Sequence, residues 1–159
     1  MKTVIIFDSF FGNTEKVAVS IKEKLEPSGE IILKRFSSAS PVILENTDLL
    51  ILGSPTRAFQ PTKKSTEFIR KLPPNSLDGI KTTSFDTRIN LKDVDSKFLR
   101  FMAGLFGYAA ETLQKLMIKK GSTAAVNPEG FYVKGNEGPM ADGELERASS
   151  WAASILKTN

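Results

Sequence analysis

The chain has 159 residues, of which 40% are hydrophobic and 25% charged, and its 22 basic and 18 acidic residues give a net charge of +4. This size and balance are typical of one folded domain with a hydrophobic core. The chain contains no cysteine and no histidine, which excludes disulfides, thiolate zinc sites, cysteine-ligated iron–sulfur clusters, cysteine nucleophiles and histidine-based triads. An enzyme of this composition would take its chemistry from a cofactor.

Hydrophobic periodicity predicts strands and helices in alternation. In chain order we predict a strand at 3–7, a helix at 14–26, a strand at 30–36, a connector with a short helical turn at 37–45, a strand at 48–53, a helix at 62–72, a strand at 80–85, a helical stretch at 96–120, a fifth strand region at 122–126 with 131–133, and a helix at 142–156. Five strands with helices between them favour a parallel, doubly wound α/β sheet with helices on both faces.

The helical stretch at 96–120 contains the most hydrophobic run of the chain, residues 98–110. That run is too short to cross a membrane and contains Arg100. Gly104 and Gly107 weaken the expectation of one straight helix. The start of the chain lacks the pattern of a signal peptide, and we expect a cytoplasmic protein.

The first strand runs directly into a polar loop, in the sequence Ile-Ile-Phe-Asp-Ser-Phe-Phe-Gly-Asn-Thr at 5–14. A loop of this kind at a helix N-terminus directs backbone amides at one point and favours an anion there. The loop is neither a Walker P-loop nor a glycine-rich dinucleotide turn. No lysine or arginine lies between Phe7 and Glu15, so neutral donors would hold a phosphate monoester such as that of FMN. The alternative is an ordinary helix cap made by Asn13 or Thr14.

The same residues resemble the phosphate-loop pattern of the flavodoxin family. Two apolar residues and an aromatic precede Ser9, Gly12 stands at the small position, Thr14 follows, and Ala18 comes four residues later. Phe11 departs from the pattern, because many flavodoxins carry a hydroxyl residue there. The resemblance extends along nearly the whole chain, including a last strand, loop and helix at 131–145 that we do not assign to the flavin.

The resemblance implies one flavodoxin-like domain over residues 1–159, a three-layer sandwich whose five-stranded parallel sheet has the order 2-1-3-4-5. FMN would bind where the winding reverses, in the loops after the first, third and fourth strands. The candidate FMN-binding residues are Ser9, Phe10, Phe11, Gly12, Asn13, Thr14, Ser54, Pro55, Thr56, Arg57, Ala58, Phe59, Asp86, Thr87 and Arg88.

The second and third of these loops carry the expected contacts to the flavin ring. Phe59 would stack on the ring, or else seal the core. Arg57 would reach ring oxygens or the phosphate. Asp86, Thr87 and Arg88 would hydrogen-bond the pyrimidine edge, where the charge of Arg88 would raise the reduction potential. The alternative for the last group is an Asp86–Arg88 pair at the surface.

The leading hypothesis for function is an electron carrier that holds FMN noncovalently and exchanges electrons with redox proteins of the ferredoxin or reductase type. The second is an FMN-dependent NAD(P)H:quinone reductase, because Gly-Ser-Pro-Thr-Arg at 53–57 resembles a loop of that branch. The third is a ligand-free regulatory module. Scattered basic pairs without interleaved aromatic residues argue against a nucleic-acid partner, and we expect no membrane partner.

Overall fold

The structure is a computed structural model that describes residues 1–158. Six parallel strands form one sheet. They are β1 (Lys2–Phe7), β2 (Glu30–Arg35), β3 (Leu49–Pro55), β4 (Lys81–Ile89), β5 (Thr123–Ala124) and β6 (Glu129–Val133). The helices are α1 (Asn13–Leu25), α2 (Lys63–Lys71), α3 (Lys97–Phe106), α4 (Ala109–Ile118) and α5 (Glu144–Leu156), with short 3-10 turns at Glu26–Ser28, Phe36–Ser38, Pro41–Leu44 and Leu91–Asp93.

The sheet is buried on both faces, which explains why β1 and β3 are almost entirely apolar. Alternate residues of β3 enter different cores, because side chains along a strand point to opposite faces. Leu50 and Leu52 pack in the core covered by α2 and α4. Leu49 and Ile51 pack in the core covered by α1 and α5. The result is a three-layer α/β sandwich.

The strand order is β2-β1-β3-β4-β5, with β6 also paired to β4, and every pairing is parallel. This confirms the predicted order. The fifth position is shared by two short strands: β5 pairs with the start of β4 and β6 pairs with residues 85–89. Pro128 lies in the interruption at 125–128, where a proline cannot donate a ladder hydrogen bond.

The predicted end of the fourth strand at Phe85 is wrong, because β4 continues to Ile89. Its extension pairs with β6, Thr87 opposite Phe131 and Ile89 opposite Val133. The polar run Asp-Thr-Arg had indicated a loop. These residues form a strand because a neighbouring strand supplies the backbone partners that a loop would take from water.

The predicted helical stretch at 96–120 is two helices. Gly107, with φ of 70°, ends α3 in a conformation that glycine adopts without strain. The two helices differ in packing: α4 buries five residues against the sheet, whereas α3 buries Ala103 alone. Within residues 1–158, no helix has the length and apolar character needed to cross a membrane.

A candidate ligand site at the carboxyl edge of the sheet

A cavity of about 530 Å³ lies beyond the carboxyl ends of β1, β3 and β4, where ligands bind in sheets of this topology. Three chain segments that sequence analysis singled out meet there: the loop after β1, the loop after β3 and the end of β4. The lining residues are Ser9, Phe10, Phe11, Asn13, Thr14, Pro55, Thr56, Arg57, Ala58, Phe59, Thr87, Arg88, Ile89, Leu91, Leu99, Tyr108, Val133, Asn136 and Glu137.

The loop after β1 directs backbone amides at one oxygen. The hydroxyl of Ser9 accepts hydrogen bonds from the backbone N–H of Gly12 at 3.1 Å and of Glu15 at 3.4 Å. Gly12 precedes α1 in the left-handed conformation, with φ of 85°, and brings no side chain to cap the helix. These hydrogen bonds hold the loop against the start of α1, and the positive end of the α1 dipole favours an anion at this end of the cavity.

The same loop is held from two other parts of the chain. The Thr14 and Thr87 hydroxyls are hydrogen-bonded at 2.8 Å, which joins the start of α1 to β4. The Asn13 amide donates to the Glu137 carbonyl at 2.9 Å. Gly138 lies so close that an added Cβ would stand 2.5 Å from Asn13 Nδ2. Contacts with two distant segments of the chain therefore fix the loop at this end of the cavity.

A tight turn positions the aromatic wall of the cavity. Arg57 and Gln60 exchange two backbone hydrogen bonds of 3.0 and 2.9 Å, with Ala58 and Phe59 between them at φ of 47° and 62°. Two consecutive left-handed residues form a type I′ turn, which non-glycine residues adopt at a cost of about 1–3 kcal/mol each. Strain of this kind is common at ligand sites.

Phe59 faces Tyr108, with ring centroids 6.4 Å apart. The Thr56 hydroxyl accepts a hydrogen bond from the Ala109 N–H at 3.0 Å, which fixes the start of α4 and so the position of Tyr108. Both rings line the cavity. They provide apolar faces of the kind that stack on a flat heteroaromatic ring.

Arg57 lies at the exposed rim of the cavity. Its guanidinium is 5.2 Å from the centroid of the Phe10 ring and 6.0 Å from that of Phe11, distances at which cation–π attraction operates. Among residues 1–158 it forms no salt bridge. Its charge therefore remains available to an anionic group at the rim.

Arg88 is electrostatically different from Arg57. Its guanidinium donates two hydrogen bonds of 2.6 Å to the fully buried Asp86 carboxylate and approaches Glu111 at 3.4 Å. It also lies 3.7 Å from the centroid of the Tyr108 ring. Arg88 thus touches the cavity with its charge paired to Asp86, and its effect on the potential of a flavin stays a prediction. The alternative that sequence analysis offered, a pair between Asp86 and Arg88, does form, but it is buried instead of lying at the surface.

Burial shifts the pKa values of this group. Loss of water raises the pKa of Asp86 above its ordinary value, although hydrogen bonds from Arg88 and the Ala110 N–H oppose the rise. Burial also raises the pKa of Tyr108, against an opposing effect of Arg88. Tyr108 therefore stays neutral around neutral pH and presents an uncharged hydroxyl.

Three of the candidate residues do not line the cavity: Gly12, Ser54 and Asp86. Gly12 acts through its backbone. The Ser54 hydroxyl is fully buried, accepts from the Thr62 N–H at 3.0 Å and donates to the Pro55 carbonyl at 3.0 Å, so it shapes the loop after β3. The Asp86 carboxylate accepts two hydrogen bonds from Arg88 and so fixes the position of that side chain. The other candidate residues are brought together around the cavity, and contact with a cofactor stays a prediction for them.

Sequence analysis missed seven lining residues: Ile89, Leu91, Leu99, Tyr108, Val133, Asn136 and Glu137. Tyr108 falls inside the predicted helical stretch at 96–120, but the break at Gly107 places it immediately before α4, at the cavity wall. Asn136 and Glu137 follow β6, whose carboxyl end lies at the same edge as those of β1 and β3. That rule of topology was a usable signal for them.

The overall architecture matches solved structures along the whole chain. Oxidised flavodoxin 2 from Bacillus cereus aligns over 100% of both chains with a TM-score of 0.78 and 20% identity. Flavodoxin 1 from the same organism aligns over 99% of this chain and 98% of that one, with a TM-score of 0.76 and 21% identity. Rubredoxin:oxygen oxidoreductase from Desulfovibrio gigas matches 98% of this chain with 35% of its own, at a TM-score of 0.73 and 16% identity.

No protein-family model matches the sequence, and neither does any curated protein. The structural likenesses establish a flavodoxin-like fold and confirm the fold class predicted from the sequence. Among residues 1–158 no cluster of acidic side chains is suited to hold a metal ion. The arrangement is a candidate anion site of neutral donors, joined to an aromatic-walled slot.

Proposed function

We propose that this protein is a flavodoxin-like electron carrier that binds FMN noncovalently in the cavity at the carboxyl edge of the sheet. The observation that carries the proposal is that the loop at 9–14, at the N-terminus of α1, lines one end of a cavity walled by Phe59 and Tyr108. A phosphate monoester attached to a flat ring matches both ends. We extend the proposal to partners and compartment: redox proteins of the ferredoxin or reductase type, in the cytoplasm.

The residues present fit the two chemical halves of FMN. Its phosphate would take the hydrogen bonds of the loop at 9–14, where hydroxyl and amide donors are neutral and the α1 dipole supplies the positive field. Its ring would lie against Phe59 and Tyr108, which exclude water from its faces. Bound there, FMN would supply one- or two-electron redox chemistry. The protein side chains bind and orient it, and none forms or breaks a bond.

The experiment is a titration of the protein with FMN and, separately, with riboflavin, which lacks the phosphate. We expect Ser9→Ala combined with Thr14→Ala to weaken FMN binding strongly and riboflavin binding little. Ser38→Ala combined with Thr123→Ala removes two hydroxyls outside the cavity and should leave both affinities unchanged. Equal FMN affinity in the Ser9/Thr14 variant and the unmodified protein would contradict the phosphate site, and no FMN binding by the unmodified protein would overturn the proposal.

A second candidate function is an FMN-dependent NAD(P)H:quinone reductase. The unpaired Arg57 at the cavity rim favours it, because a free guanidinium binds phosphate groups of the kind NAD(P)H carries. A reductive titration of the FMN-loaded protein under electrochemical control separates the two functions. Two resolved one-electron steps would support the carrier, whereas a single two-electron step together with quinone-dependent NAD(P)H oxidation would support the reductase.

A further inference from the structure

Helix α3 presents an apolar face to solvent. The exposed fractions are 67% for Phe98, 66% for Phe101, 63% for Leu105 and 49% for Phe106. Successive residues of a helix are about 100° apart, so these four side chains form one continuous arc. Ala103, about 160° around the helix from Phe101 and Leu105, is buried against the protein. Singly exposed apolar residues are ordinary, but a contiguous face of this size marks an interaction surface.

The charged residues of α3 itself are basic. Lys97 lies beside the apolar arc, Arg100 lies about 100° around the helix from Phe101, and α3 contains no acidic residue. Two acidic residues, Asp93 and Asp95, precede the helix, and Arg100 lies 4.0 Å from Asp95. The chain as a whole carries a net charge of +4. A helix with large apolar side chains on one face and basic residues beside them is suited to the surface of an anionic bilayer.

The apolar face continues to the mouth of the cavity. Leu99 of α3 and the preceding Leu91 line the cavity. On the loop after β1, Phe10 and Phe11 are 56% and 48% exposed and line it too. A flat surface that covers α3 would therefore reach the entrance of the ligand site.

We propose that α3 docks the protein on the surface of a membrane that contains anionic lipids, with Phe98, Phe101, Leu105 and Phe106 inserted among the lipids. At ten residues α3 is about 15 Å long, which suits a helix lying in the interface. A second copy of the chain is a poorer occupant, because it would bring Lys97 and Arg100 of both copies to one interface to which α3 brings no acidic residue. The inference goes beyond the proposed redox function and differs from the expectation of no membrane partner.

Vesicle flotation tests the docking directly and requires no FMN. We expect the full chain to float with vesicles of phosphatidylcholine and phosphatidylglycerol, and to float much less with phosphatidylcholine alone or at high salt. Phe98→Gln combined with Phe101→Gln should lower the bound fraction at least about tenfold, since each phenylalanine loses its burial in lipid. Lys97→Gln combined with Arg100→Gln should lower binding to the anionic vesicles by about tenfold or more.

The matched control is Val42→Gln, since Val42 is 66% exposed outside α3, and this variant should float like the unmodified chain. Circular dichroism melts verify that every variant is folded. Failure of the unmodified chain to float, or equal flotation of the Phe98/Phe101 variant, would overturn the proposal. Light scattering covers the rival occupant: a dimer that the Phe98/Phe101 substitutions convert to a monomer would assign the face to a second copy.

Discussion

The Asp86 carboxylate and the Arg88 guanidinium are joined by two hydrogen bonds of 2.6 Å, although the two residues belong to the same strand. Residues two apart on a strand share a face, so β4 directs an acid and a base to one place beneath the cavity. Asp86 is completely buried and the Arg88 side chain is 11% exposed. The pair also supports Tyr108, because the Arg88 guanidinium packs against the face of its ring, 3.7 Å from the centroid.

We expect Asp86→Asn to lower the free energy of unfolding by about 3 kcal/mol, because it leaves a largely buried guanidinium without its main partner. Arg88→Met should destabilise the protein for the converse reason. The double variant should lose much less than the sum of the single variants, because neither uncompensated charge remains. Urea unfolding of all four proteins measures this, and strictly additive losses would show that the two side chains do not interact.

Tyr108 provides a second prediction, about ligand affinity. Tyr108→Leu should weaken FMN binding by about two- to tenfold, since it removes an aromatic face worth roughly 0.5–1.5 kcal/mol beyond area. Tyr108→Phe keeps the ring and should bind FMN about as well as the unmodified protein. Quenching of FMN fluorescence on titration reports both affinities. If Tyr108→Phe were as weak as Tyr108→Leu, the hydroxyl and not the ring would be the functional part of the side chain.

A third prediction concerns the loop at 135–139 that meets the anion end of the cavity. Gly138→Ala should destabilise the protein, since its φ of 105° strains any other residue and its Cβ would stand 2.5 Å from the Asn13 amide. The displaced Asn13 should also weaken FMN binding. Gly135→Ala is the matched control, because the Cβ there would meet only the Gly138 carbonyl oxygen, at 3.8 Å. Thermal melts and FMN titrations should show a lower melting temperature and weaker FMN binding for Gly138→Ala than for Gly135→Ala. Equal values for the two variants would contradict the close approach of Gly138 to Asn13.

Glu144 provides a prediction about pH. Although burial raises its pKa, hydrogen bonds from Arg147 and the Tyr132 N–H more than offset that effect, and the pKa lies below the ordinary value of 4.5. A carboxyl group whose pKa is lower in the folded state stabilises the fold above the unfolded value and loses that contribution as pH falls through the folded value.

Glu144→Gln should therefore be less stable than the unmodified protein at neutral pH, and the difference should shrink as the pH falls below about 4.5. Chemical unfolding at a series of pH values measures the difference. Glu146→Gln, on the exposed side of the same helix turn, controls for the change in net charge. A difference that stayed constant down to the acid limit would show that the ionised carboxylate contributes nothing to stability.

Sequence patterns were sufficient for the fold, because β1 and β3 are continuous apolar runs that only a sheet covered on both faces can bury. The loop at 9–14 could also be recognised from the sequence as a candidate phosphate loop, because its hydrogen-bond donors lie next to one another in the chain. The structure departs from expectation where the outcome depends on distant partners. Residues 86–88 form a strand because β6 pairs with them. That pairing cannot be predicted from the composition of residues 86–88 alone.

The apolar residues of α3 show a different limit. Periodicity predicts that Phe98, Phe101 and Leu105 share one face of a helix, but it does not say whether that face meets the core or solvent. The place of Tyr108 at the cavity wall could not be predicted for a related reason. Its role follows from the change of direction at Gly107 and from the Thr56 hydroxyl that holds the start of α4, and neither is visible in the local pattern.

The hydrogen bond between Asn13 and the Glu137 carbonyl joins residues 124 positions apart, and this separation has a consequence for folding. Contacts so distant in sequence form late, after the entropic cost of closing the intervening chain has been met. A phosphate bound at this loop would therefore stabilise the whole fold against unfolding, and not the loop alone. Saturating ligand should slow hydrogen exchange of the most protected amides in the central strands as strongly as that of the loop itself.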